Sequence, residues 1–182
     1  MSAMRADARR NREAILSAAG RAFAEEGLGV PVDEIARRAG VGAGTLYRHF
    51  PTKEALFEAI LVEHMEQLAD QARAGIDADE PGQALFEFMG RLAAEAGAKR
   101  SLIEALSGAG VDIKASASDT KAQLEEAFTR LLERAQAAGQ VRPDVTISDL
   151  FGLVMGACAL SGEGADCSQS RMLSVICAGL RT

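Results

Sequence analysis

Apolar positions recur every three or four residues along most of this 182-residue chain, and glycines, prolines and short polar clusters cut the pattern into about nine stretches. That period belongs to amphipathic helices, with one face covered and the other wet. The first stretch, near 8–26, aligns Ile15, Ala18, Ala19, Ala22 and Phe23, and Gly27 ends it. A second starts at Pro31 with Asp33 and Glu34 in its first turn, where proline's fixed φ and carboxylate charge both suit a helix N-terminus. It buries Ile35, Ala36 and Ala39 and closes at Gly40. A short third helix runs over 43–49 and is stopped by Pro51. Thr52 then caps a long helix over 52–74, whose apolar positions are Leu56, Phe57, Ile60, Leu61, Met65 and Leu68.

Residues 76–82 read as a loop, followed by helices over 82–97 (Leu85, Phe86, Met89, Leu92) and 99–106. A second loop over 107–118 leads to a strongly periodic helix over 119–138, carrying Leu124, Phe128, Leu131 and Leu132 and stopped by Gly139. Residues 142–144 are a turn. The last two helices differ from the rest: 150–160 has no charged residue and 168–180 only Arg171. A helix apolar all round must be covered all round, so the pair is expected to lay one face on the core and another on a partner subunit. Gly152 and Gly156 each cost roughly 1 kcal/mol against alanine in a helix interior. A pair of them marks a close helix approach, either across a dimer seam or within the subunit. Gly152, Gly156, Met172 and Ile176 are the seam candidates.

Composition sharpens this to an all-α chain. Alanine and leucine dominate the apolar content, aromatics are 4% and there is no Trp, which favours helices over strands. The net charge of −6 conceals an asymmetry, because residues 1–53 hold nine Lys/Arg against six acids. A basic segment on an acidic body is the footprint of a phosphate-binding module attached to something else. Cys158, Cys167 and Cys177 have no zinc-ligand spacing, and His49 and His64 are the only histidines. No metal site and no cofactor are expected. No nucleophile–base pair or nucleotide loop is visible, so an enzyme is not expected either; Gly42-x-Gly44 follows no strand. The N-terminus has no signal-peptide core and no apolar run is long enough to span a membrane, so the expectation is cytoplasmic.

Residues 31–50 carry the chemistry. Two short helices joined by a glycine-containing turn form a helix-turn-helix, whose second helix enters the major groove of DNA. Leu46 and Phe50, four residues apart, anchor that helix. Ala43, Gly44, Thr45, Tyr47, Arg48 and His49 occupy the other face, and Lys53 opens the next helix within reach of a phosphate. Residues 1–52 are therefore expected to form the DNA-binding domain, and 53–182 a helical dimerisation domain.

This segment resembles the DNA-binding domain of the TetR/AcrR family. The resemblance rests on Phe23…Gly27, Ile35-Ala36…Ala39-Gly40-Val41, Thr45-Leu46-Tyr47-Arg48-His49-Phe50 and Lys53-Glu54-Ala55-Leu56 in order and spacing; the turn over 139–145 adds to it. It implies a homodimeric bacterial regulator on a palindromic operator, a repressor released when a small molecule enters the C-terminal domain and swings the fourth helix, so that 53–182 is a ligand-binding domain as well. It also implies Thr45, Tyr47, His49 and Lys53 as DNA contacts, largely to phosphate and sugar, with Tyr47 on a thymine methyl and Arg48 on guanine or a phosphate. The chain departs from the family at Gly42, Ala43 and Gly44, where longer polar side chains are common, and at Val30-Pro31. Specificity then leans on few contacts plus DNA shape.

Other residues have two readings each. Arg9, Arg10 and Arg12 are either an arm on the phosphates or a solvated helix start. His64 reads as a core or boundary residue rather than a sensor. The cysteines read as structural rather than redox-active. Phe86, Met89, Phe128, Phe151 and Met155 either line a ligand cavity or simply fill the core; few cations fall at core positions, which favours an apolar or neutral effector. The alternative function is a DNA-binding regulator or architectural module without any small-molecule ligand.

Overall fold

The computed structural model describes residues 2–108, 118–159 and 166–182. Residues 109–117 of the expected second loop, and the side chain of Cys167, lie outside the described residues. The described chain is helical: α1 (Ser2–Glu26), α2 (Val32–Arg38), α3 (Ala43–His49), α4 (Lys53–Ile76), α5 (Pro81–Gly108), α6 (Ser118–Ala137), α7 (Ile147–Ala159) and α8 (Asp166–Leu180), with a 3₁₀ turn at Gly27–Gly29. None of these helices is long and apolar enough to cross a membrane.

Local chemistry explains most boundaries. Gly27, Gly40 and Gly139, read from the sequence as stops, adopt left-handed φ of 72°, 69° and 68°, a conformation that costs other residues dearly. After α2, Gly40 N–H donates to Arg37 O at 3.2 Å and Val41 N–H to Ala36 O at 3.0 Å. After α6, Gly139 N–H donates to Gln136 O and Gln140 N–H to Ala135 O, at 2.9 and 3.1 Å. Both are the paired bonds that satisfy the orphan carbonyls of a helix end. Thr52 Oγ1 accepts from Ala55 N–H at 3.1 Å, as a cap should. Pro31 is itself extended, at φ −64° and ψ 142°, and serves as the N-cap of α2, so the helix begins one residue later than its position suggested. The expected helices over 82–97 and 99–106 are one, α5. Gly97 lowers helix propensity but does not stop a helix that meets no proline.

Helix α7 begins at Ile147, three residues before the apolar run that announced it. Thr146 and Asp149 start it. Thr146 Oγ1 accepts from Asp149 N–H at 3.2 Å, while Asp149 Oδ2 accepts from Thr146 N–H at 2.8 Å and from its hydroxyl at 2.6 Å. This reciprocal arrangement satisfies two donors of the first turn. The side-chain and backbone hydrogen bonds from Thr146 hold the Asp149 carboxyl below its ordinary 3.8. A depressed pKa means that the carboxylate stabilises the fold above its ordinary value and loses that effect as pH falls through the folded one. Thr146→Ala is expected to cost about 1 kcal/mol at neutral pH. In urea titrations, the difference between wild type and Asp149→Asn should fade as the pH is lowered below about 4.

The chain divides into two compact units, one built on the residues up to His64 and the other on Met65–Arg100 and Asp119–Thr182. The first has a core of Ile15, Leu16, Ala18, Ala19, Ala22, Phe23, Val30, Ile35, Ala36, Leu46, Phe50, Leu56 and Phe57. The second has its own core, drawn from α4 to α8, with Phe128 of α6 at its centre. Phe128 stands edge-on to Phe88 and Phe151, with ring centroids 4.9 and 5.2 Å apart. Polar ties close this unit. Gln140 Oε1 accepts from Gly82 N–H at 2.6 Å, and a Cβ at Gly82 would meet Gln140 Cβ at 2.7 Å, so only glycine fits there. Val141 and Arg181 form an antiparallel bridge.

Candidate nucleic-acid interface

Leu46 is fully buried and Phe50 nearly so, at 0% and 4% exposure. The spacing that made them anchors thus fixes which face of α3 points outward. On that face Ala43, Gly44 and Arg48 are exposed, Thr45 and His49 half-exposed, and Tyr47, the only tyrosine, is 47% exposed. Among the described residues no hydrogen bond holds this large, half-exposed aromatic ring, which stands beside an exposed arginine. A Cβ at Gly42 or Gly44 would meet nothing within 4 Å. Packing among the described residues therefore does not require those glycines, and they leave the first turn of α3 bare.

Two things organise the helices around α3. The first is the apolar floor supplied by α1, α2 and the start of α4, with Phe23 of α1 against Phe57 of α4 at 6.2 Å. The second is a charge network. Glu34 accepts from Arg37 Nε and Nη2 at 2.8 and 2.6 Å and from Arg38 Nε at 2.8 Å, and Arg38 reaches back to Glu26 at the end of α1. The hydrogen bonds from Arg37 first, then from Arg38, hold the Glu34 carboxyl down to about 2, so it stays ionised at any physiological pH. The i,i+4 spacing of Glu34 and Arg38 is visible in the sequence; the Arg38–Glu26 contact, which joins two helices, is not.

Lys53 is turned inward. Its Nζ donates to Val30 O at 2.6 Å and lies 5.7 Å from the centre of the Phe23 ring. Arg48, by contrast, makes no ion pair among the described residues.

In the second unit the residues singled out from sequence part company. Phe86, Met89 and Phe128 are buried in the core, and Phe151 packs against it. Met155 is 57% exposed. Gly152 and Gly156 are exposed, and a Cβ at either would meet nothing within 4 Å. Met172 and Ile176 are half-buried, Ile176 against the core, while Val175 beside them is 67% exposed. Gly152, Met155 and Gly156 of α7 thus share an open face, and Val175 is its counterpart on α8, which packs against α7. Cys158 is buried and donates its S–H to Ala93 O at 3.2 Å. Burial pushes the Cys177 thiol up from its ordinary value. His64 is half-buried on α4. Among the described residues, no three His, Cys, Asp or Glu side chains group as a metal site.

Comparison with known proteins follows the same division. Residues 15–60 match the bacterial regulatory proteins of the tetR family, and residues 80–182 match the C-terminal domain of SbtR-like transcriptional regulators. The HTH-type transcriptional regulator UidR of Escherichia coli is 28% identical over 149 residues, covering 80% of this chain and 76% of that protein. The crystal structure of a TetR transcription regulatory protein from Mycobacterium vanbaalenii superposes with a TM-score of 0.82 at 44% identity, over 98% of this chain and 99% of that one. A TetR transcriptional regulator from Streptomyces coelicolor gives 0.80 at 36% identity, over 93% and 98%.

Proposed function

The chain belongs to the TetR family of DNA-binding transcriptional regulators, and from that premise we propose that it is a ligand-responsive repressor, acting in the cytoplasm as a homodimer on a palindromic operator. The observation that carries the reading is the outward face of α3, where Tyr47 and Arg48 stand exposed over the buried anchors Leu46 and Phe50. In this reading α3 lies in the major groove. Thr45, Tyr47 and His49 meet phosphate, sugar and a thymine methyl, Arg48 reaches guanine or a phosphate, and bare Ala43 and Gly44 let the helix approach closely. Lys53 joins them by leaving Val30 O for a phosphate.

The DNA-binding domain comprises residues 1–52, and residues 53–182 the helical ligand-binding and dimerisation domain. The dimer seam is assigned to the open face of α7 with Gly152 and Gly156, together with the half-buried Met172 and Ile176 of α8. Two-fold symmetry of the protein then matches two-fold symmetry of the operator. Phe86, Met89, Phe128 and Phe151 border the effector cavity, and Met155 lies at its margin with the seam. An apolar or neutral effector need only prefer a spacing of the two heads that DNA rejects; a coupling of about 1–3 kcal/mol changes operator affinity roughly 5–150-fold. The chain is assigned no catalytic role. The close edge-on packing of Phe128 with Phe88 and Phe151 favours a second reading, a DNA-binding regulator with no effector.

Selection from random duplex DNA at two salt concentrations tests the proposal. The expected result is an enriched palindrome whose affinity falls steeply as salt rises. Salt-sensitive binding without an enriched sequence would reduce the chain to a non-specific binder, and absence of binding would overturn the repressor reading. The recovered operator then reports on the effector. Its release by an apolar or neutral compound supports a cavity, and retention across a broad set of such compounds leaves the effector-free reading.

A further inference from the structure

The basic side chains of α1 are not equivalent. Arg9 pairs with Glu13 at 3.5 Å, one turn away. Arg10 pairs with Asp7, and Arg21 donates to Ser17 Oγ at 2.8 Å. Arg12 has no carboxylate partner among the described residues. Its guanidinium instead leaves α1 and lies over the ring of Phe50, 5.5 Å from the centroid.

Phe50 closes the recognition helix, donating its N–H to Leu46 O at 2.8 Å. Its neighbour His49 has its own ring 6.2 Å from the Phe50 ring. Arg12 and His49 therefore flank one aromatic ring at the C-terminal end of α3, next to exposed Arg48. An arginine stacked on a ring keeps its five N–H donors available, because the attraction is to the π face and not to an acceptor. Stacking also fixes the long side chain in advance, so less rotamer freedom is lost when a ligand binds. The side chain is exposed. An exposed, preset fork with unspent donors matches an anionic group with paired oxygens.

We propose that Arg12, which lies outside the helix-turn-helix, is a further DNA-contacting residue that presents its guanidinium to a backbone phosphate beside the groove occupied by α3. The inference rests on the operator reading above. The pairing within α1 selects Arg12 over Arg9 and Arg10, whose charge is already answered one turn away. A phosphate contact positions the protein and carries no base information. Arg12 therefore sets affinity, and operator sequence is left to α3.

The test uses the whole chain and its selected operator, with binding measured across a salt series. Arg12→Gln is expected to weaken binding about tenfold and to make the salt dependence shallower by about one phosphate, with the preferred sequence unchanged. Arg12→Lys should keep the slope, since it keeps the charge. Arg9→Gln and Arg10→Gln should stay within about twofold of wild type, as changes at solvated pairs usually do. Wild-type affinity and slope in Arg12→Gln would overturn the proposal. So would a weakened Arg12→Gln with an unchanged slope and a lowered melting temperature, which would make the arginine a brace for Phe50. If the wild-type chain selects no operator, the underlying reading fails first and Arg12 falls with it.

Discussion

Met155→Glu is expected to be monomeric in sedimentation and to bind its operator at least about a hundredfold more weakly than wild type. The side chain is 57% exposed in the single chain, so the substitution removes little packing there and should leave monomer stability within about 0.5 kcal/mol. In the proposed dimer the consequence lies across the seam. Two-fold symmetry places the same face on both subunits, so one substitution puts two carboxylates into an apolar contact with no partner for either. An unpaired buried charge costs several kcal/mol. Loss of the dimer separates the two reading heads, and binding at the second half-site is no longer intramolecular; that linkage is commonly worth about 10²–10⁴ in affinity. Unchanged helical content by circular dichroism is the control for folding. A variant that remains dimeric would move the seam away from α7, and a monomeric wild type would remove it altogether.

Phe128→Ala is expected to cost about 3–5 kcal/mol of stability, and to lower the melting temperature by about 10 °C or more. Phe128 is fully buried and has aromatic rings on two sides, Phe88 and Phe151, from α5 and α7. Removing it takes away both edge-on contacts and leaves a void that three helices border, and the surroundings can collapse into it only in part. Calorimetry of the whole chain measures the effect. A loss near 1 kcal/mol would mean that this part of the core is loosely packed and already able to rearrange, which is the property an effector cavity needs.

Much of the first unit was legible because its determinants are local. The recurrence of apolar positions, Gly27 and Gly40 at helix ends and Pro31 beside the start of α2 are each read within one turn of the chain, and they mark the end of α1 and, to within a residue, both ends of α2 without reference to distant residues. The anchors Leu46 and Phe50 followed from the same period. The start of α7 was missed, although Thr146 and Asp149 spell a reciprocal cap, because the charge-free run from Leu150 drew the boundary to itself. Two predicted helices merged into α5, because an interior glycine weakens a helix without ending it.

Period and capping alone dictate the helical class, the place of the helix-turn-helix, and which side of α3 is buried. Their range is one or two turns. The destinations of long side chains, by contrast, depend on how the helices pack. Lys53 turns to Val30 O, 23 residues away, Arg38 joins Glu26 across two helices, and Arg12 crosses to Phe50 while Arg9 and Arg10 stay on their own helix. Packing also decides which apolar side of α7 is covered. Leu150, Val154 and Cys158 go to the core and Met155 to the surface, although all belong to one uncharged run. The physical reason is that a pattern apolar all round has no phase, so the neighbours that pack first choose the buried face.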